Sequence, residues 1–324
     1  MERLVLIDGN ALLHRAYHAY PQTLRTGKGE LTNAVYGFTS ILLTVFRQLK
    51  PKYAVMAFDL PKPTFRHRKY KAYKAHRPKI DQELKEQIPR AHQIVETLNI
   101  PIFEVEGYEA DDVIGTLAGN SQTLKTIIVT GDKDALQLIN NRVKVFMPGR
   151  GKRPARMVDR KAFLKEYGFE PRLLVDYKAL VGDPSDAIPG VKGIGPKTAT
   201  KLIVKFGSLR DIYDNLDRLD VKTRQRLTNQ EEQAKLSYKL AQIITQVPLE
   251  FNLEKSRLLD YDRQKVEALF EELEFRTLMA RLPGEGGDRD NQVKARNSKF
   301  TCGKNIASKP TNTKTEEGNQ MELF

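Results

Sequence analysis

Cysteine occurs once in the 324 residues, at Cys302. That excludes an intrachain disulfide and fits a reducing compartment. Nor is there a cysteine–histidine cluster of the kind that holds zinc. No apolar run approaches the length of a membrane span. The N-terminus runs through a strand-like Leu4-Val-Leu-Ile7 straight into Asp8, with no basic region and no signal-peptide core. A cytoplasmic protein with no membrane partner is expected. Acidic residues are missing altogether between positions 62 and 79, where eight basic ones stand.

Elsewhere the acids are concentrated. The stretch Gly107-Tyr-Glu-Ala-Asp-Asp-Val-Ile114 brings Glu109, Asp111 and Asp112 together at what reads as a helix start. Glu109 and Asp112, three apart, then share a face. Acidic residues suit a helix's first turn, and that alone would account for one such cluster. The pattern recurs, however. Leu4–Ile7 runs into Asp8, Tyr53–Phe58 into Asp59, and Thr126–Val129 into Thr130-Gly-Asp-Lys-Asp134. Asp183 and Asp186 lie in the turn-rich Gly182–Gly190. Near-continuous apolar runs separated by helical patterns predict a parallel sheet buried on both faces. Such sheets carry their functional groups at the carboxyl ends of the strands, where Asp8, Asp59 and Asp132 would fall. Carboxylates gathered there repel one another unless cations bind them, and an all-oxygen set suits Mg²⁺ or Mn²⁺.

The net charge is nonetheless +13. A basic chain with a concentrated acidic pocket points to a polyanion held on the surface and metal acting on it. The segment 62–79 fits that picture. Its Lys62, Arg66, Arg68, Lys69, Lys71, Lys74, Arg77 and Lys79 are interleaved with Phe65, Tyr70 and Tyr73. Basic groups neutralise phosphates and aromatic faces stack on unpaired bases.

In chain order, residues 1 to about 60 read as strand, helix, strand, the helix covering Ala34 to Leu49. A second helix is expected from about Gln82 to Leu98, then strands over Ile100–Val105, Thr126–Val129 and Val143–Met147. Gly149–Arg153 reads as an exposed turn, and a helical pattern resumes at Arg160–Tyr167. From about Pro171 the chain reads as all-helical. There Gly190-Val-Lys-Gly-Ile-Gly-Pro-Lys-Thr-Ala199 leads into a helix ending at Phe206. Gly193 and Gly195 would make a tight turn that offers backbone N–H groups to a phosphate. This is the form of a helix-hairpin-helix gripping a DNA backbone, with Lys192, Gly193, Gly195, Lys197 and Thr198 as its contacts.

Six motifs in this order resemble the flap-endonuclease (5′-nuclease) superfamily, specifically the bacterial 5′→3′ exonuclease domain of DNA polymerase I. They are Leu6-Ile-Asp-Gly-Asn10, Val35-Tyr-Gly-Phe38, Glu109-Ala-Asp-Asp112, Thr130-Gly-Asp-Lys-Asp134, Gly182-Asp-x-x-Asp186 and Gly190-Val-x-Gly-Ile-Gly195. The resemblance covers about residues 1–283. It implies an α/β, PIN-like, mostly parallel sheet over 1–170, with a helical arch at about 62–98. A helical DNA-binding region with a helix-three-turn-helix would follow over 171–283.

By position it makes Asp8, Asp59, Glu109, Asp111, Asp112, Asp132, Asp134, Asp183 and Asp186 the metal-binding acids, for two or more Mg²⁺ or Mn²⁺ ions. Asp8, Asp111 and Asp132 join Lys74 and Arg77 as the catalytic set. Tyr73, Lys74 and Arg77 match the arch, where Arg66, Arg68 and Lys71 are further DNA contacts. Lys74 resembles the family's catalytic lysine and Arg77 its phosphate-steering partner. A potassium ion at the Gly190–Gly195 loop is also implied. The family's usual Ser and Asn are replaced by Pro184 and Ala187, which touches the hydrogen bonding of that loop rather than the acids.

Residues 284–324 are polar and poor in large apolar side chains, the composition of a disordered tail. No polymerase domain follows, so a free-standing, monomeric family member is expected. The terminal Gln320-Met-Glu-Leu-Phe324 resembles the bacterial sliding-clamp pentapeptide, with Met321 in place of Leu and Gln320, Leu323 and Phe324 retained. The expected function is structure-selective 5′→3′ exonuclease and flap-endonuclease hydrolysis of DNA bearing a 5′ flap, nick or RNA primer. A non-catalytic junction reader gains nothing from nine carboxylates facing phosphates. A PIN-type ribonuclease gives no reason for the hairpin clamp.

Overall fold

The computed structural model describes residues 2–121, 123–149 and 154–283. The tail with Gln320, Met321, Leu323 and Phe324, and residues 150–153 of the expected exposed turn, lie outside them.

Six strands form one sheet: β1 (Arg3–Asp8), β2 (Tyr53–Ala57), β3 (Ile102–Phe103), β4 (Lys125–Val129), β5 (Val143–Met147) and β6 (Arg156–Val158). Their order is β3-β2-β1-β4-β5-β6. The first five are parallel, and Leu6 pairs with Val55 on one side and Ile128 on the other. β6, which has no apolar alternation to announce it, closes the edge antiparallel to β5. The strands at the centre are apolar almost throughout because both faces are covered. Leu4 and Leu6 enter one core while Val5 and Ile7 enter the other. The chain winds outward from β1 through β2 to β3, then returns to the far side of β1 at β4. That reversal opens a crevice at the carboxyl ends of β1 and β4.

The helix expected over 34–49 spans Asn33–Leu49, with Phe38 and Leu42 fully buried. Burying Phe38 contributes about 1.5–3 kcal/mol. A helix at Gly9–Ala19 was not expected between β1 and it. Asp8-Gly-Asn reads locally as a turn, but the Asp8 carboxylate accepts a 2.9 Å bond from Ala11 N and caps a helix. The helix expected over 82–98 is broken into Gln82–Lys85 and Ile88–Thr97, with Pro89 in the first turn of the second. Gln87 fills the break. It is buried, accepts from Ala34 N and donates to Asn33. The arch is correspondingly no continuous helix. Phe65–Lys69 is one short turn of helix and residues 71–77 are turns. Of the strand expected at 100–105, only Ile102–Phe103 pairs.

The region from 171 onward does not stand apart from the sheet. Leu180, Ile194, Leu202 and Leu227 share a core with Leu4, Leu6 and Val55. Helices Arg263–Glu272 and Arg276–Met279 return to the opposite face, where Val266, Phe270 and Phe275 pack with Leu12 and Phe38. No helix among the described residues is long and apolar enough to cross a membrane.

Candidate active site

The crevice is lined by acids, each placed by local structure. Asp8 ends β1, and besides capping the next helix it accepts a 2.7 Å bond from Thr130 Oγ1. Asp59 follows β2. Its N–H donates to Asn10 Oδ1 (2.8 Å), and its Oδ1 accepts from Ala110 N (2.7 Å), at the start of helix Ala110–Asn120. Asp132 follows β4, its N–H donating to Thr130 Oγ1 (3.0 Å), and Asp132 Oδ1 accepts from Asp134 N (2.8 Å). Thr130 therefore orients two acids from one hydroxyl, a role legible only as a polar residue closing an apolar strand.

At the centre sits Asp111. Its Oδ1 is buried and has no hydrogen-bond partner among the described residues. Burial holds its carboxyl well above the usual range, reinforced by Asp132, Asp8, Asp134 and Asp59. Burial, with Asp59 and Asp132, also pushes Asp8 up to about 7 against the bonds from Ala11 and Thr130. Asp134 rises to about 7 through burial and Asp132, opposed by Lys178. An orphaned carboxylate oxygen among mutually repelling acids is a donor set for hard cations. Among the described residues, no three acids stand at a spacing that would already hold an ion.

The sign of the pH dependence follows. These acids have raised pKa values in the folded state, so their contribution to stability is greatest below the ordinary aspartate value of 3.8 and is lost as pH rises through about 7. The thermal midpoint of the metal-free chain, measured by circular dichroism, is expected to fall by several degrees between pH 5 and pH 8. Mg²⁺ is expected to restore it at pH 8 and to do little at pH 5.

Protein cations occupy the rim. Lys178 Nζ bridges Asp134 and, at 2.6 Å, Asp183. It was not expected there. Its only sequence signal is a lysine inside the mostly apolar helix Leu174–Val181, which also carries Asp176. Asp183 lies below the usual range although burial opposes this, because Lys178 and Ser185 bond it. Lys74 Nζ stands 3.1 Å from Glu109 Oε1 and 3.9 Å from Asp186 Oδ2, and Arg77 pairs with Asp186. Lys74 N also donates to Asp186 O (3.0 Å), which docks the arch segment on the Asp183–Asp186 turn.

Three of the expected site residues are held inside the protein in this geometry. Arg66, expected to contact DNA, has a side chain only 3% exposed and forks onto Asp112 at 2.7 and 2.8 Å. Asp112, expected to bind metal, is fully buried, and its acceptor positions are taken by Arg66, Glu109 N and Ile244 N. Tyr73 is buried rather than presented to a base, its hydroxyl donating to Glu109 (3.1 Å) and Asp186 (3.3 Å). Arg68 and Lys71 are exposed, as are Lys192, Gly193, Gly195 and Lys197.

The hairpin links helix Leu174–Val181 to helix Pro196–Phe206. Its tight backbone belongs to Gly190 (φ +64°), where a Cβ would lie 2.3 Å from Gly182 N, and to Gly193 (φ +91°). Gly195 was expected to share that duty, but at φ −92° it is ordinary backbone. The Pro184 and Ala187 changes leave the turn closed, with Asp183 N and Ile188 N each bonding the other residue's carbonyl at 2.9 Å. Ser185 N and Oγ donate to Asp183 Oδ1. Ala187 sits at φ +57°, a left-handed position that an asparagine tolerates better.

Comparison with known proteins agrees with this arrangement. Residues 3–168 match the model of the 5′-3′ exonuclease N-terminal resolvase-like domain, and residues 169–264 that of the 5′-3′ exonuclease C-terminal SAM fold. DNA polymerase I of Chloroflexus aurantiacus is 45% identical over 289 residues, 86% of this chain and 31% of that protein. That of Bacillus subtilis is 37% identical over 292 residues, 89% and 33% respectively. The chain thus spans about a third of the length of these relatives. The T5 D15 protein co-crystallized with metal ions superposes with a TM-score of 0.63 at 23% identity, covering 75% of this chain and 90% of that one. The catalytic core of Rad2 in complex with DNA substrate gives 0.56 at 15% identity, over 84% and 87%. These two likenesses establish a common fold. With the N-terminal family model alone covering more than half of its residues and the C-terminal one following directly, the chain belongs to the 5′-3′ exonuclease family.

Proposed function

We propose that the chain is a metal-dependent, structure-selective 5′-nuclease that hydrolyses DNA phosphodiesters at flaps, nicks or RNA primers during replication and repair. The observation that carries this reading is the orphaned Asp111 Oδ1, buried among the carboxylates of Asp8, Asp59, Asp132 and Asp134 in a chain of net charge +13. Asp8, Asp59, Asp111 and Asp132, with Asp134 and Glu109 beside them, would hold Mg²⁺ or Mn²⁺. Asp183 and Asp186 would complete the set on the side now bridged by Lys178 and Lys74. Bound there, such ions supply Lewis-acid activation of water and neutralise charge on the scissile phosphate. Lys74 and Arg77 stand at the rim, held by Glu109 and Asp186, where they would meet the reacting phosphate. The exposed Arg68 and Lys71, and the hairpin with Lys192 and Lys197, would grip the DNA backbone without reading bases. The same reading assigns a potassium ion to the Gly190–Gly195 backbone. Products would carry a 5′-phosphate and a 3′-hydroxyl.

A substrate panel in Mg²⁺ tests this function. Cleavage of a 5′-flap duplex should exceed cleavage of single-stranded RNA of the same sequence by at least about a hundredfold. Equal rates on the two would replace this reading with that of a general ribonuclease.

The terminal peptide belongs to the same proposal. A synthetic peptide ending Gln320-Met-Glu-Leu-Phe324 should bind a purified bacterial sliding clamp, with Leu323 and Phe324 in an apolar pocket. Such a tether raises the local nuclease concentration toward the millimolar range. Absence of binding at several hundred micromolar peptide would remove the clamp from the account.

A further inference from the structure

Arg66 and Asp112 have no place in the chemistry proposed above, yet they form the most completely satisfied buried ion pair among the described residues. Asp112 Oδ1 accepts from Arg66 Nη2 (2.8 Å) and Ile244 N (2.8 Å). Asp112 Oδ2 accepts from Arg66 Nη1 (2.7 Å) and Glu109 N (3.1 Å). Each carboxylate oxygen thus has two donors, and no lone pair is left for an ion. The guanidinium also donates to Leu240 O (3.0 Å) and Gln242 O (2.7 Å), and its Nη1 lies 3.3 Å from Glu109 Oε2. One pair therefore ties the base of the arch, the Glu109 cap of helix Ala110–Asn120 and the strap at 240–244.

That strap ends helix Glu231–Ala241, whose other end and flank hold the hairpin loop. Lys192 N donates to Gln230 Oε1 (2.7 Å), Gln233 Nε2 donates to Gly190 O (2.7 Å), and Gly190 N donates to Ser237 Oγ (3.0 Å). A single rigid element thus touches the loop that would grip DNA and the pair that fixes Glu109. A bidentate, water-excluded pair holds its partners to one geometry, which suits it to placing a side chain that must meet the reacting centre.

We propose that Arg66 and Asp112 are positioning residues outside the ion-binding set, and that helix Glu231–Ala241 links the hairpin loop to them, so that DNA gripped at the loop acts on turnover as well as on affinity. This rests on the nuclease reading.

The test uses the full chain with 5′-flap duplex DNA and Mg²⁺, alongside calorimetric titration of each variant with Mn²⁺. Asp112→Asn and Arg66→Gln should each lower kcat by about 10- to 100-fold, the range for residues that orient a metal site's ligands. KM and Mn²⁺ affinity should stay within about threefold of wild type. The double variant should lose no more than the worse single one, since both break one unit. Gln233→Ala, which disturbs no buried charge, should lower kcat about threefold or more at saturating DNA. Its result stands even where a buried-pair variant does not fold. Additive losses, a tenfold or greater loss of Mn²⁺ affinity in Asp112→Asn, or a Gln233→Ala variant altered in KM alone would each overturn the inference. An inert wild type would overturn the nuclease reading and this inference together; an active one with any of those outcomes overturns the inference alone.

Discussion

Asp111→Asn is expected to lower turnover on a 5′-flap duplex by about a thousandfold while raising the thermal midpoint of the metal-free chain by several degrees. The two effects have one origin. Asp111 Oδ1 is buried without a partner, and four other acids push its charge up in energy. Asparagine keeps the shape and removes the charge, so the folded chain without metal is relieved of repulsion that the unfolded chain never felt. The same change takes a negative charge from the centre of the ion-binding set, where stabilisation of the reacting phosphate is concentrated. Removing one preorganised electrostatic group from such a site commonly costs about 10²- to 10³-fold. Calorimetry and single-turnover cleavage read the two effects separately. A variant that simply unfolds would lose stability, so the opposite signs distinguish a functional loss from a structural one. Wild-type turnover in Mg²⁺ would remove Asp111 from the set.

Lys74→Ala is expected to lower kcat by about a hundredfold or more with KM changed by no more than about threefold. Its ammonium is mostly buried between Glu109 and Asp186, and its backbone is held at φ +53°. A non-glycine residue in that left-handed region costs about 1 kcal/mol and is kept where the surrounding structure demands it. Here the demand is visible in Lys74 N bonding Asp186 O and the side chain returning over the acids. As one cation among eight in the segment 62–79, Lys74 adds little to overall DNA affinity. Arg68→Ala or Lys71→Ala should show the converse. Both residues are exposed. Each variant should bind more weakly at unchanged kcat and reduce the salt slope of log K by about one unit for every phosphate it no longer neutralises. If Lys74→Ala raised KM and left kcat alone, Lys74 would be a docking residue.

How much of this could be read beforehand depended on distance along the chain. The sheet and the acids at its carboxyl edge were legible because two-sided burial writes near-continuous apolar runs into β1, β2 and β4. Each acid then ends its strand or follows it within three residues. The helix Gly9–Ala19 was missed because the Asp8-Gly-Asn signal for a turn is also a signal for a cap, and only the bond to Ala11 decides between them. Glu109 and Asp112 share a helix face and so read as twin ligands. What separates them is Arg66, 46 positions away, and Ile244, 132 away, and no local pattern carries that. Lys178 was overlooked for the same reason. Of its two partners, Asp183 lies five residues on, but Asp134 lies 44 residues upstream, on another element. Helix Arg263–Glu272 falls within the stretch that reads as all-helical from Pro171, but nothing local shows that it crosses back to the Phe38 side of the sheet.

The account stands or falls on whether these carboxylates make hydrolysis metal-dependent. The most direct measurement incubates the purified full chain with a flap duplex, in Mg²⁺ and in chelator, and identifies the ends of the cut strand. The account predicts cleavage only with the divalent ion, near the base of the flap, leaving a 5′-phosphate and a 3′-hydroxyl, and none by Asp111→Asn. Cleavage undiminished by chelator, or an intact flap in saturating Mg²⁺ or Mn²⁺ while the chain binds the DNA, would contradict it.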